Sequence, residues 1–560
     1  MSDNITLTKT IFKNFFPCFI PLKKLVFSIS LSLILFISLF SIGSAAQNSE
    51  PIYGEVNKQL EKFVVVKLKA DLSKLSEKQG QMLANLEDAA MIMDDIFWQQ
   101  AYGNRDKLFT KWPSKSIQKL LKIHYGPWDR YSGDKPFFVG GGNKPSGANF
   151  YPADMAKSEL EITGQKNPKL LDPYTMVRRN ANGKLIPIAY HQFFANEHKL
   201  AAKKLRQAAQ LAEDPGFKHY LNMRAEALLN DEYQASDFAW MAMKNNMVDI
   251  IIGPIEIYED KFGYKAAHEA FVLLKDLTWS KKLEKYTKLL PSWQKQLPVG
   301  QAYKQDSPGA ESDLGVYDVI RYSGDAAATR AIAVHLPNDA QVQLKAGSRR
   351  LQLKNAMEAK FNYIVKPMAK LLIAPSQLKH VNLQAFFNNT MYHEIAHGLG
   401  VKKLLVSKKS VESSLKENSW MVEEGKADAL GLFITAKLQQ KEGWHEAKLL
   451  DSLVTSFTSI FRAIRFGATS SHARANLIRF NYYKEHNVFI RSPQGLYLID
   501  PQRMNSATSS LIALILRLQG DGDYAGVIEL EKKYGTISPQ LAKDLKRLQS
   551  AGIPLDVVFE

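Results

Sequence analysis

The chain reads as an α+β protein, mostly helical with one small sheet. Three observations predict it: long stretches in which apolar residues recur every three or four positions, one region of alternating short runs between Ala328 and Lys354, and a helical pattern that holds from about residue 366 to the end. A hydrophobic fraction of 45% with 23% charged residues is that of a globular chain and excludes disordered and fibrous classes. The length of 560 residues allows about two or three domains.

Lys23 and Lys24 precede an apolar run from Leu25 to Ile42, and Gly43-Ser44-Ala45-Ala46-Gln47 follow it. Basic residues before and small residues after are the pattern of an export signal, here cut after Ala46. The alternative is an uncleaved membrane anchor, since the run lies at the lower limit for crossing a bilayer. Both readings put the bulk of the chain outside the cytoplasm, in a bacterial periplasm or secreted. Cys18, the only cysteine, lies before the run, so the cleaved product would have no disulfide. Four lysines and one aspartate leave with residues 1–46, which lowers the net charge of +17 only slightly. The other lysines are scattered, as between Lys261 and Lys288, and form no basic arm, so nucleic acid is not expected as a partner.

Between Val56 and Ile96, Leu60, Val64, Val65 and Leu68, then Leu75, Leu83, Leu86, Ala90 and Met93, follow helical spacing and predict helices with one apolar face each. Residues 121–153 break that pattern with dispersed glycines and Pro127 and Pro145, predicting a long ordered loop rich in aromatics: Trp128, Tyr131, Phe137, Phe138, Phe150 and Tyr151. Residues 195–247 return to helix. Met247 to Tyr258 reads as a short apolar strand or buried loop ending in Glu256-x-Tyr258-x-Asp260. The runs ATRAIAVHLPN, AQVQLK and RLQLK predict three strands, with Pro337-Asn338-Asp339 and Ala346-Gly347 as turns. Beyond residue 366 Gly425 and Gly431 fall inside helical runs, and Pro493 marks a later break.

The most specific feature is His393-Glu394-Ile395-Ala396-His397. On a helix the two histidines differ by about 400° of rotation and share a face one turn apart, so both imidazoles reach one ion. Glu394 is turned about 100° away, placed to hold a water on that ion and take its proton. A catalytic zinc takes three protein ligands and keeps one position open, so a third donor must come from elsewhere. Glu424, in the run NSWMVEEGKADALGLF, supplies it if that run is a second helix crossing the first, with Trp420, Leu430 and Phe433 on its apolar side. Asp428, one turn on, is placed to accept from the free nitrogen of a ligand histidine. His445 is a competing third ligand, but its Gly443-Trp444 neighbours suggest an exposed turn. His268 reads as an ordinary helix-face residue. The bland reading of the motif is a pair of solvent-facing histidines beside a salt-bridged glutamate; the core-like Ile395, Ala396 and Leu399 speak against it.

The two motifs together, His393 to His397 and Glu423-Glu424-Gly425-Lys426-Ala427-Asp428, resemble those of the dipeptidyl peptidase III (M49) family of zinc metallopeptidases, and more closely its bacterial and plant zinc-dependent hydrolase relatives. The resemblance extends over 121–153, 249–272, 328–345, 388–433 and 463–483. It implies a two-lobed fold, one lobe with a small sheet or barrel, the other helical and zinc-bearing, with a wide cleft between them. The expected division is residues 1–46 as signal, 47–365 as the mixed lobe and cleft-lining segments, and 366–560 as the helical catalytic region. The family motif usually carries one more residue between its histidines, and has Cys and Arg where Gly425 and Lys426 stand here. By the same resemblance Glu424 is the third zinc ligand, Asp428 its supporting acid, Tyr258 a donor to the oxyanion and His472 a transition-state histidine. Asn338 matches one of two asparagines that hold the substrate backbone, and His335 stands where the other is expected. Glu256 and Glu259, beside Tyr258, are the candidates to receive a substrate ammonium.

The implied function is zinc-dependent hydrolysis of short peptides, with one Zn²⁺ per chain and release of N-terminal dipeptides. Two other readings stay open. One is a zinc-binding envelope protein without turnover. The other is a metallohydrolase acting on a non-peptide substrate, sustained by His335 and the aromatic loop.

Overall fold

The computed structural model describes residues 53–138, 141–304, 312–441 and 448–560. The export segment with Cys18, and His445, lie outside the described residues.

The two lobes are two hydrophobic cores. The first is built from segments between Val56 and Ala356, the second from Trp279 to Leu297, Val316, and Met357 to Val557. At the start of the first core, the helical spacing read from Val56 onward fails at Phe63–Val66, which is a strand (β1) between the helix Tyr53–Leu60 and the long helix Glu77–Ala101. Three consecutive valines are β-branched and lose side-chain freedom in a helix. Here they pair in parallel with the last strand of the chain, Asp556–Phe559, a partner no local pattern could announce. The long helix itself starts at a capping box on Ser76 and Gln79 and buries Leu83, Leu86, Ala90 and Met93, one face as its spacing requires.

The principal sheet has five strands. In chain order they are β2 (Val248–Glu256), β3 (Ala267–Lys275), β4 (Ser312–Gly324), β5 (Ala333–Leu336) and β6 (Ser348–Leu353), and they lie side by side as β2-β3-β4-β6-β5. Only β6 and β4 run parallel. The middle run of the three expected around residues 328–354 is a helix, Ala340–Ala346. Asp339 decides this: its side chain accepts from Gln341 N and Val342 N, and the capped residues are good helix formers. Residues 125–138 and 141–153 form the expected loop, apart from a two-residue pairing of Trp128–Asp129 with Lys135–Pro136, whereas 121–124 are the last turn of the helix Lys115–His124. Trp128, Phe138, Phe150 and Tyr151 are buried in it, so its rings are spent on packing.

The second core is helical and contains the crossing that positions the motif. The histidine helix (Leu383–Ala396) is capped by Asn382, and the glutamate helix (Ser419–Gln439) packs across it. They meet at Gly431, where an added Cβ would lie 3.1 Å from His393 N. At Gly425 on the same helix, a Cβ would find only Ile515 and Ala475 at 3.6 and 3.7 Å.

The reading of an exported or membrane-anchored chain is corrected here. Among the described residues no helix is long and apolar enough to cross a membrane. The run Leu25 to Ile42 on which the reading rested is not among them, and apolar composition alone says that a segment avoids water, not where it resides. The exported assignment is withdrawn.

The two glycines give opposite expectations for one chemical change. Gly425→Ala should stabilise the glutamate helix by up to about 1 kcal/mol through helix propensity. Gly431→Ala should destabilise, because the backbone of a packed helix must move to admit the methyl group, at about 1–3 kcal/mol. Urea denaturation of the two variants checks this, and effects of equal sign would refute the close approach.

Candidate metal centre

His393 closes the last turn of the histidine helix and His397 caps it with helical φ and ψ, which keeps the one-turn spacing. Their rings stand at 90° with centroids 4.8 Å apart. Glu424 reaches them from the crossing helix: its Oε2 is 3.1 Å from His393 Nε2 and 3.8 Å from His397 Nε2. One donor atom from each residue lies within 4.8 Å of the others, and all three residues are buried. Donors about 2 Å from a common tetrahedral ion stand roughly 3.3 Å from one another, so the set fits a metal. Glu424 Oε2 is buried with no well-aligned hydrogen-bond donor, an atom that an ion would satisfy.

The far nitrogens of both rings are taken. His393 Nδ1 is 2.9 Å from Asp428 Oδ1, and His397 Nδ1 is 2.9 Å from Glu423 Oε1. A carboxylate only accepts, so each Nδ1 carries the proton and each Nε2 presents its lone pair to the ion. Asp428 is in turn held by Asn476 Nδ2 at 3.0 Å and faces Arg479 Nη2 at 3.5 Å. Burial opposes its ionisation, but Arg479 and then His393 outweigh it and hold the carboxyl well below its usual range. Glu423 is held by Lys426 Nζ at 2.7 Å and Gln519 Nε2 at 3.1 Å. Lys426 has no exposed surface, and burial pulls it down to about 7 although Glu423 works the other way. Gly400, at φ 90°, turns the chain after His397 so that Leu399 O accepts from the same Lys426 at 2.8 Å.

Glu394 lies beside the donor set, its Oε2 3.5 Å from Arg350 Nη1, and Arg350 also donates to Glu394 O at 3.0 Å. Arg350 comes from the sheet of the first core, where it pairs across strands with His335. His335 Nε2 is 2.7 Å from Ser348 Oγ; burial and then Arg350 lower its pKa to about 4, so it is neutral near pH 7. His472, at the start of the helix Ser471–Glu485, points Nδ1 at Glu424 Oε2 from 3.1 Å and keeps its side chain 63% exposed.

A second group gathers on the first core. Asn338 Nδ2 donates to Ile255 O at 3.2 Å and its amide is bonded to Glu256, to which Tyr258 is also bonded. Tyr258 is 72% exposed, and among the described residues no hydrogen bond ties its hydroxyl to the histidine side. Buried Glu269 and Asp325 stand behind Glu256. Burial and then their mutual repulsion push Glu269 well up, and burial followed by Glu259 raises Asp325. Glu259 itself turns inward, with Arg130 at 2.5 Å and Lys144 at 2.8 Å. Its charge is balanced inside the protein, which removes it as a receiver of ammonium. His268, expected on a helix, is in β3 and buried against His198, their Nε2 atoms 2.9 Å apart.

Sequence reasoning missed Glu423, Arg350, Glu269 and Asp325. Glu423 was legible in principle: it stands three residues before Lys426 and beside Glu424, in a run whose other two acids, Glu424 and Asp428, had roles. Nothing local marks Arg350, whose partner lies 44 positions away.

A histidine pair and a glutamate on crossed buried helices, with a carboxylate behind each imidazole and another beside the ion position, define a metallopeptidase. The sequence profile of Peptidase family M49 matches residues 157–445, and the chain belongs to that family, the dipeptidyl peptidase III family. A protein of Arabidopsis thaliana named Nudix hydrolase 3 is 30% identical over 91% of this chain and 74% of its own length. Dipeptidyl peptidase 3 of Nematostella vectensis is 27% identical over 33% of the chain and 26% of its own. Among solved structures, dipeptidyl peptidase III of Caldithrix abyssi aligns with a TM-score of 0.85 at 35% identity, covering 90% of this chain and 98% of that one. Dipeptidyl peptidase III of Corallococcus sp. strain EGB aligns at 0.74 with 32% identity, over 90% of this chain and 96% of that one.

The paired carboxylates behind the rings should govern metal affinity. Asp428→Ala and Glu423→Ala should each weaken metal binding by about 10–100-fold. Competition with a chelating dye measures it, and unchanged affinity in both variants would remove them from that role.

Proposed function

We propose that the chain is a zinc-dependent peptidase that releases dipeptides from the free amino terminus of short peptides. The observation that carries the proposal is the convergence of His393 Nε2, His397 Nε2 and Glu424 Oε2, with both Nδ1 protons committed to carboxylates. Two imidazoles and one carboxylate are a donor set of catalytic zinc. Bound there, zinc supplies a Lewis acid and makes water nucleophilic near neutral pH.

The residues divide the remaining work. Glu394, turned away from the ligand pair on the same helix, takes the proton of the attacking water and passes it to the leaving amine. Arg350, against Glu394, keeps that carboxylate oriented. His472 donates to the oxygen that gains charge, and Tyr258 does so from the other core once substrate brings the two groups together. Asn338 and His335 hold the peptide backbone, His335 as a neutral ring. Glu256 receives the terminal ammonium. Support for choosing it over Glu259 is electrostatic: Glu259 already has two cations, whereas Glu256 pairs with no cation among the described residues and stands before the buried acid Glu269. Four of the six rings of the aromatic loop, Trp128, Phe138, Phe150 and Tyr151, are buried, and the Tyr131 hydroxyl donates to Asp556, so the loop is spent mainly on packing rather than on a non-peptide substrate.

Glu394→Gln should keep about one zinc per chain and lose about 100- to 10,000-fold in kcat on a dipeptide-arylamide. Metal analysis beside a turnover assay decides it, and full activity in the variant would take the base role from Glu394.

The pH dependence follows from Glu256. Burial raises its pKa above the ordinary 4.5, against hydrogen bonds from Asn338 and Tyr258 that lower it. A raised carboxyl is neutral below its folded pKa and cannot pair with an ammonium, so kcat/KM should fall as pH drops through a range above 4.5. On the alkaline side it falls as the peptide amine loses its proton, near about 8. In Glu256→Gln, kcat/KM at neutral pH should drop by at least about tenfold, the worth of one charge-assisted hydrogen bond. An unaltered profile in that variant would assign the ammonium elsewhere.

A further inference from the structure

The glutamate helix is enclosed on nearly every side, and between Ser419 and Leu438 one residue is exposed: Trp420, at 56%. The apolar pattern puts this indole among the core residues; the helix instead turns Glu423, Glu424 and Asp428 toward the donor set and leaves the tryptophan outside. Trp420 precedes Glu424 by four residues, so it lies on the same face, one turn and about 6 Å along the axis.

The neighbouring helix fixes what surrounds it. Arg474 Nη2 donates to Asn418 Oδ1 at 2.6 Å, and His472 Nδ1 lies 3.1 Å from Glu424 Oε2. The start of the His472 helix therefore runs beside residues 418–424, with Trp420 between those two contacts. Indole and imidazole are both more than half exposed at the edge of the same donor set. The indole makes no hydrogen bond or ring contact with any described residue. An exposed tryptophan at the rim of a buried polar site is apolar area waiting to be covered, and aromatic rings are the side chains that return most on being covered.

We propose that Trp420 is the wall against which the residue after the scissile bond packs, so that the enzyme favours peptides whose third residue is large and apolar or aromatic. The inference rests on the dipeptide-releasing function proposed above. Glu256 and Asn338, on the first core, take the amino-terminal two residues. The chain then crosses the ion position onto the second core, where Trp420 is the exposed apolar side chain of the helix that carries Glu424.

The test uses tetrapeptides Ala-Ala-Xaa-Ala with Xaa glycine, leucine or phenylalanine. Wild type should prefer phenylalanine to glycine by about tenfold in kcat/KM. Trp420→Ala should erase that preference mainly through KM, and Trp420→Phe should restore most of it, with zinc content held in both. Loss in equal proportion for all three peptides, or no change in the ratio, would overturn the proposal. The same peptides are titrated calorimetrically onto Glu394→Gln with and without Trp420→Ala. If wild type cleaves none of them but the phenylalanine-to-glycine affinity ratio still collapses without the indole, the peptidase reading fails and the wall stands. Cleavage with a ratio indifferent to Trp420 retains the peptidase and refutes the wall.

Discussion

The structure depends on how closely the histidine helix and the glutamate helix approach at Gly431. With no side chain there, the backbone of His393 comes within contact distance, and Glu424, two turns earlier, reaches both imidazoles. Separation by a fraction of an ångström would move Glu424 off two nitrogens together, because both distances are set by one crossing. The same crossing delivers Glu423 and Asp428 to the far sides of the rings. Three carboxylates from one helix thus serve two histidines from another, and tautomer, ring orientation and donor distance follow from a single rigid contact.

Such a concentration of buried charge is costly unless each member is paired. Lys426 and Gln519 answer Glu423, and Arg479 and Asn476 answer Asp428. Glu424 alone ends with a buried oxygen that no hydrogen-bond donor satisfies well. Charges that serve structure are compensated within the chain, whereas the carboxylate meant for an ion keeps its valence open. Glu256 follows the same logic on the other core, where it faces acids while nearby Glu259 is neutralised.

What could be read from the chain beforehand was what a local period encodes. The one-turn spacing of His393 and His397, the helical run around Glu424 and the strand ending at Glu256 are all short-range signals, and the structure has them. Local alternation misled at AQVQLK, where a single cap on Asp339 outweighs it, and helical spacing misled at Val64 and Val65, whose strand partner is nearly 500 residues away. Trp420 was misplaced for a different reason. Hydrophobicity assigns indoles to cores, and in a helix whose interior is spent on carboxylates the rule inverts. Arg350 was invisible because its importance comes only from the register of β5 and β6 and from the way the sheet meets the histidine helix.

That register explains how a sheet in one core can act on chemistry in the other. The pairing of β2 with β3 slips between Pro254 and Glu256, so Ile255 is left out of the ladder. A bulge frees a carbonyl and re-aims the next side chain. Here Ile255 O accepts from Asn338, at the turn that follows β5, while Glu256 is bonded by the same amide. One asparagine thereby ties the two edge strands of the sheet, β2 and β5, and β5 lies against β6, which carries Arg350 to Glu394. On the mechanism proposed above, a peptide amine at Glu256 is linked to Glu394 through Asn338, the hydrogen-bonded pairing of β5 with β6, and the Arg350 contact. Irregular pairing at Ile255 and regular pairing at Arg350 are therefore two ends of one sheet, which holds Glu256 and Arg350 at a fixed separation.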